Sequence, residues 1–444
     1  MLLATLLKGQ FEHPGTEIRH LEGYNVVSFS EFNSCRETKN LMSMKTKAVV
    51  LVTSFAVLLF VVVGSLGGHA SSSDGAYRQL QVYSEVLSRV HSEYVEEPNI
   101  PKVTDGALHG LLESLDPNSS YMTADAYKAY KAHKAEAKGE IGATISKRFG
   151  YAAVVSVLPG SPAEKAGIEP TDIFESIESQ STRDMSLPEI RSILAGVPGS
   201  TVTVSVVRSR RAEPQKVVIT RDIVSVPPVS DKVMPDEIGY IKVDALTKGK
   251  AQEIASKIKS LEKSGAKKLL LDLRYTAAGE ESEGIAVANL FLNHGTITYL
   301  QGQKVPRQAY NADPAKAITT LPVAVLVNHG TAGAAEIVAS AILENARGDV
   351  VGEKTFGDGS VPKTFDLPDG GALILSVAKY YSPSGKAIQD ASVTPNGLVA
   401  GEDDSVGPDD DDSQPDTNDQ DAKPKKTQDD QLNKAVEVLK SRSS

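Results

Sequence analysis

The stretch VAVLVNHGTAGAAEIVASAILENARGDVVGEKTFGDGSV (323–361) decides how this chain folds. It opens on VAVLV (323–327), a short, branched, wholly apolar run of the kind that forms a strand buried on both faces. The turn NHGTAG (328–333) follows, and then a helix, AAEIVASAILENARG (334–348). A short strand, DVVGEK (349–354), runs into the glycine-flanked loop TFGDGSV (355–361). Strand, helix and strand in succession imply a mostly parallel or mixed sheet covered by helices.

The pattern continues on both sides. IGYIKVDAL (238–246) reads as a strand and GKAQEIASKIKSLEKSG (249–265) as a helix stopped by glycine. KKLLLDLR (267–274) is a buried strand, GIAVANLFL (284–292) a second helix, and GALILSVAKYYSPSGKAIQ (371–389) a closing strand and turn. This core is placed at 212–400. Upstream, IGATIS (141–146), YAAVVSVL (151–158), DIFESIES (172–179) and TVTVSVVR (201–208) read as strands. Between them lie a short capped helix in GSPAEKAGI (160–168) and a helix from Ser186, SLPEIRSIL (186–194). That order, with SPAEKAGI followed by TD, resembles a PDZ domain, placed at 139–211. PDZ domains bind an extended C-terminal peptide by strand addition, with backbone N–H groups on its carboxylate. The resemblance puts the carboxylate loop at Glu140, Ile141 and Gly142, where the Glu140 charge does not favour an anion.

Residues 75–138 read as helical. Leu80, Tyr83, Leu87, Val90 and Tyr94 make one helix face, Pro98 and Pro101 break it, and VTDGALHGLLESL (103–115) resumes with Asp105 as cap. The Asp-Pro turn SLDPNSSYM (114–122) follows. Before them, AVVLVTSFAVLLFVVVGSL (48–66) carries no charge and is long enough to span a bilayer. Arg36, Lys39, Lys45 and Lys47 precede it, so a single-pass anchor at 48–68 in the inner (cytoplasmic) membrane is expected, with the bulk of the chain on the periplasmic side. Residues 1–47 are then a cytoplasmic tail or a mis-called start before Met44. GHA (68–70) offers a cleavage site, though the apolar length favours an anchor.

The net charge of −10 is mostly local. Glu402 to Asp430 holds 12 acidic residues and 3 lysines, which leaves the rest near neutral and argues against a nucleic-acid partner. Residues 401–428 are expected to be an acidic disordered linker before a last helix at 429–444. Cys35 is the only cysteine, so neither a disulfide framework nor a thiol nucleophile follows it. The histidines show no zinc spacing, and no metal or cofactor is expected. His329 reads as a solvated turn residue.

Taken together, 323–361, SLDPNSSYM, the PDZ-like stretch and the YSPSG turn (381–385) resemble the carboxy-terminal processing (tail-specific) serine peptidases. The resemblance implies an α/β multidomain fold: an N-terminal helical region, a PDZ domain and a protease-like core with a mixed, crotonase-like sheet. In that family a serine attacks and a neutral, buried lysine takes its proton; the lysine pKa must then fall below its usual ~10.4. The resemblance puts the serine at Gly333, the lysine at Asp358 and an orienting glutamine at Pro362. The oxyanion turn, with two asparagines, a proline and two glycines in the family, reads Tyr275, Thr276, Ala277, Ala278 and Gly279; with Ala334 the last two complete the oxyanion site. None of nucleophile, base and orienter is present.

The reading is a pseudoprotease that binds protein C-termini or unfolded polypeptides, as a homo-oligomer or with an active paralogue. A rival is an active endopeptidase on a relocated pair, Thr331 and Lys354. A third reading is a structural envelope scaffold.

Overall fold

The computed structural model describes residues 48–49, 51–56, 73–136, 138–148, 150–208, 211–401 and 429–442. The chain separates into two compact units, 1–97 and 98–444. The first contains helix α1 (Ser73–Glu93), whose apolar residues Leu80, Tyr83 and Val86 are exposed.

The second unit begins with α2 (Ile100–Glu113). The expected break at Pro101 and cap at Asp105 are corrected here. Asn99 caps the helix by accepting from Lys102 N at 3.1 Å, and Pro101 sits in the first turn, where a missing N–H costs nothing. Strand β1 (Ser120–Met122) and α3 (Ala124–Glu136) lead into an antiparallel domain. Its elements are β2 (Ala143–Arg148), β3 (Tyr151–Val157), α4 (Pro162–Lys165), β4 (Ile173–Ile177), β5 (Gln180–Ser181), α5 (Leu187–Leu194), β6 (Thr201–Arg208) and β7 (Arg211–Thr220). Strand order is β2-β3-β4-β6-β7, with β5 on β4, which leaves β2 at the edge. Ser186 and Glu189 form a reciprocal capping box on α5, so its start is where the sequence places it. The core is Ile141, Ile145, Val154, Phe174, Ile190, Val204 and their neighbours.

The larger part follows: β8 (Ser230–Met234), β9 (Ile238–Lys242), β10 (Ala245–Leu246), α6 (Lys250–Lys263), β11 (Lys268–Asp272), β12 (Ala278–Gly279), α7 (Glu281–Phe291), β13 (Thr296–Gln301), β14 (Gln308–Asn311), β15 (Val323–Val327), α8 (Ala334–Glu344), β16 (Gly348–Gly352), β17 (Ser360–Asp366), β18 (Ala372–Tyr381), α9 (Ile388–Ala391), β19 (Gly397–Leu398) and α10 (Asp430–Ser441). The central sheet, β19-β16-β15-β11-β9-β8, is parallel except for the β8–β9 hairpin, so it is mixed. Both faces are covered, in step with the two-residue period of a strand. Leu269, Leu271, Val323 and Val325 pack beneath α6, α7 and α8, while Leu270, Ala324 and Leu326 pack against Ala435 and Leu439 of α10. A second sheet joins β1, β18, β13, β14 and β17.

The expected membrane span at 48–68, and with it the inner-membrane, periplasm-facing location, is corrected by the structure. Among the described residues no helix is long and apolar enough to cross a membrane. Within the run, 51–56 is helical; at about 1.5 Å per residue this covers about 9 Å of a hydrocarbon core about 30 Å thick. Apart from 48–49, which are also helical, the rest of the run lies outside the described residues, as do 1–47 and 402–428, on which the tail and linker expectations fall.

Candidate active site and peptide groove

Strand β15, buried throughout, carries the chain to the turn at 328–333. The turn is fixed to the end of β11 by side chains. Asn328 Oδ1 accepts from Tyr275 N at 2.9 Å and Gly330 N at 3.1 Å. The Thr331 hydroxyl donates to Leu273 O at 2.8 Å and accepts from Asn328 N at 3.0 Å. Gly333 then takes φ 59°, ψ −119° and opens α8. This is a sharp strand-to-helix elbow, the kind of turn that exposes a nucleophile in other hydrolases. A Cβ built at Gly333 would meet only Asp358 O, at 3.9 Å. There is room for a side chain on the elbow, and φ 59° strains the backbone of any residue other than glycine placed there.

Glu336, one turn into α8 and fully buried, ties the elbow to the following loop. Its carboxyl accepts from Gly333 N at 3.0 Å, Gly357 N at 2.8 Å and Asp358 N at 2.8 Å, and from the Thr355 hydroxyl. Burial pushes this carboxyl up to about 8, and the four hydrogen bonds oppose the rise. Asp358 is therefore held beside the elbow by its own backbone. Burial raises the Asp358 carboxyl above its ordinary range, against the charge of Arg191 and a hydrogen bond from Asn118. Pro362 is exposed on β17, next to a register shift between Val361 and Pro362. Proline is tolerated at such an irregular edge position.

Two of these partners, Asn118 and Arg191, went unnoticed in the sequence. Asn118 belongs to SLDPNSSYM, where Asp116 accepts from Asn118 N at 2.9 Å, Ser119 N at 2.8 Å and the Ser376 hydroxyl at 2.9 Å. The turn so anchored lets Asn118 Nδ2 donate to the Ser360 hydroxyl at 2.7 Å. Arg191 comes from α5 of the antiparallel domain. His329, read as solvated, is half-buried, with Nδ1 2.9 Å from Glu353 Oε2 and its ring edge-on to Tyr275.

Of the residues expected at an oxyanion site, Ala278 and Gly279 form β12, paired in parallel with Ala245 and Leu246, and Ala334 is the first residue of α8. Tyr275, where the family pattern has asparagine, has φ 59°, a left-handed conformation that asparagine adopts more readily than tyrosine. Of the fallback residues, Thr331 is fully buried with its hydroxyl committed to the turn, and Lys354 is exposed.

A groove of about 260 Å³ runs between the β2 edge and α5, lined by Ile141, Gly142, Ala143, Ile145, Arg191 and Leu194 among others. Glu140 lines it too, but its N–H is spent on Asp222 O at 2.8 Å, so it cannot serve a carboxylate. The N–H groups of Ile141 and Gly142 carry no such bond among the described residues. Gly142 has φ 77°, and a Cβ there would lie 2.3 Å from Ser161 Cβ, so only glycine fits the bend.

Comparison with known proteins agrees with this geometry. Residues 237–399 match the model of peptidase family S41, and residues 154–208 match a PDZ domain. The carboxy-terminal-processing protease of Bartonella bacilliformis is 30% identical over 361 residues, covering 80% of this chain and 83% of that protein. Carboxy-terminal processing protease CtpA of Bacillus subtilis is 32% identical over 360 residues, covering 79% and 76%. The solved photosystem II D1 C-terminal processing protease superposes with a TM-score of 0.59 at 25% identity, over 72% of this chain and 92% of that one. These matches run over most of the chain, and it belongs to the carboxy-terminal processing proteases of peptidase family S41.

Proposed function

We propose that this chain is a pseudoprotease that captures protein C-termini in its PDZ groove and does not cleave them. One observation carries the reading: the residue on the elbow is Gly333, which has no side chain to attack with. Loss of a serine nucleophile alone removes about 10⁶-fold in rate in a serine protease. Asp358 supplies a carboxylate where the family's base is a neutral amine, and Pro362 offers no amide to orient one. A relocated pair is disfavoured, because the Thr331 hydroxyl is bonded inside the turn and Lys354 is exposed to solvent. The preserved groove, with free N–H groups at Ile141 and Gly142, supports binding.

The test compares the unmodified chain with a Gly333→Ser/Asp358→Lys/Pro362→Gln variant on a peptide with an apolar C-terminus. The unmodified chain is expected to bind the peptide and leave it intact; the space at Gly333 admits the serine of the variant. Cleavage by the unmodified chain that disappears in Lys354→Ala would overturn the pseudoprotease reading. Absence of both binding and cleavage would favour a scaffold.

A further inference from the structure

Arg191 reaches across the peptide groove. Its Nε and Nη2 both donate to Ile145 O, at 3.3 and 2.9 Å. Ile145 lies on β2, the edge strand, so this carbonyl points away from β3 and into the groove. In an antiparallel pair, alternate residues turn their N–H and C=O toward the partner. If Ile145 faces the groove, Ala143 does as well. A peptide whose carboxylate sits on the N–H groups near Ile141 and Gly142 places its last residue against Ala143. Its third residue from the end then falls against Ile145, and needs the carbonyl that Arg191 now holds.

A strand docking here must therefore displace the guanidinium from Ile145 O. Its surroundings in the groove are mostly apolar, Ile141, Ala143, Ile145 and Leu194, with Thr144 the one uncharged polar side chain of the lining. A guanidinium covered by peptide without a new acceptor is costly to bury. Asp358 and Tyr130 both lie in its field, but among the described residues the hydrogen bonds of the Arg191 guanidinium go to Ile145 O, and the Asp358 carboxyl is already bonded by Asn118. Glu140, the other charged residue of the lining, is at the carboxylate end of the groove. The acceptor has to come with the ligand.

We propose that Arg191 is the specificity-determining residue of the groove, selecting C-terminal peptides with a glutamate or aspartate as the third residue from the end. Arg191 exchanges the Ile145 carbonyl for that side-chain carboxylate, and the freed carbonyl accepts the peptide N–H. The exchange trades a neutral acceptor for a charged one. This inference rests on the peptide-capture reading above.

The test uses the full chain and two eight-residue peptides with free, apolar C-termini that differ only in glutamate or glutamine at the third position from the end. Titration should show the glutamate peptide binding about tenfold more tightly, the size of one charge-assisted hydrogen bond. In Arg191→Gln the ratio should fall to about one, while the glutamine peptide keeps or gains affinity because Ile145 O is released. Arg191→Lys, which keeps the charge, should keep part of the ratio. A merely structural role for Arg191 would weaken both peptides alike and leave their ratio unchanged. Equal binding of the two peptides by the unmodified chain, or a ratio that survives Arg191→Gln, overturns the selection and leaves peptide capture standing. Failure of both peptides to bind overturns both.

Discussion

Glu336 is the residue that ties the elbow at Gly333 to the loop carrying Asp358. Its carboxyl gathers the elbow N–H, two loop N–H groups and the Thr355 hydroxyl in a place with no exposure to water. Burial lifts it to about 8, from 4.5 in the unfolded chain. Between these values the native state holds a proton that the unfolded chain has released, so unfolding releases a proton. Stability from this group is then full below about pH 4.5 and is lost as pH rises toward 8. Urea unfolding across that window should show stability falling by at most about 1.4 kcal/mol per pH unit, and Glu336→Gln should remove this component. An unchanged slope in the variant would show that Glu336 is ionised throughout. At this scale the sequence reveals what is missing, since Gly333, Asp358 and Pro362 stand at countable distances within one motif. It does not reveal Asn118 and Arg191, which reach the site only through tertiary folding; Asn118 bonds Ser360 across 242 positions.

Elements show the same division between pattern and context. The alternation Leu269, Leu270, Leu271 within β11 marks a strand buried on two faces, and the structure gives each face a separate cover. The start of α2 was harder to read, because Pro101 signals both a break and a first turn, and Asn99 decides between them. The C-terminal helix α10 has a legible stripe, yet its seat on the sheet depends on the strands that oppose it. Ala435 and Leu439 bury against Ile238, Leu270, Ala324, Leu326 and Val351, and ion pairs fix both ends: Asp429 to Arg274 at 2.9 Å and Lys440 to Asp236 at 2.7 Å. Leu439 has no exposed surface, so Leu439→Ala should cost about 2–5 kcal/mol and open 430–441 to limited proteolysis. Lys434→Ala, which removes an exposed pair with Glu437, should change stability by less than about 0.5 kcal/mol. Equal effects of the two would mean that α10 is held by charge and not by its apolar face.

At the scale of the second unit, the hydrophobic cores do separate work. One lies wholly within residues 141–219, and the sheet cores contain none of those residues. Near the site the two regions also meet electrostatically, the charge of Arg191 acting on the Asp358 carboxyl. Cores that share no side chains can open separately, as cooperative units with their own free energies. Ile190 on α5 is fully buried in the smaller core, so Ile190→Ala should destabilise that region by about 2–5 kcal/mol. Native-state hydrogen exchange should then show faster exchange in β2, β3, β4 and β6, while β9, β11 and β15 keep their protection. Peptide binding should weaken with the groove, because α5 forms one of its walls. Parallel loss of protection in both sheets would mean that the peptide-binding region and the protease-like core unfold as one. A substitution at the Gly333 elbow would then be expected to carry a cost in the groove as well.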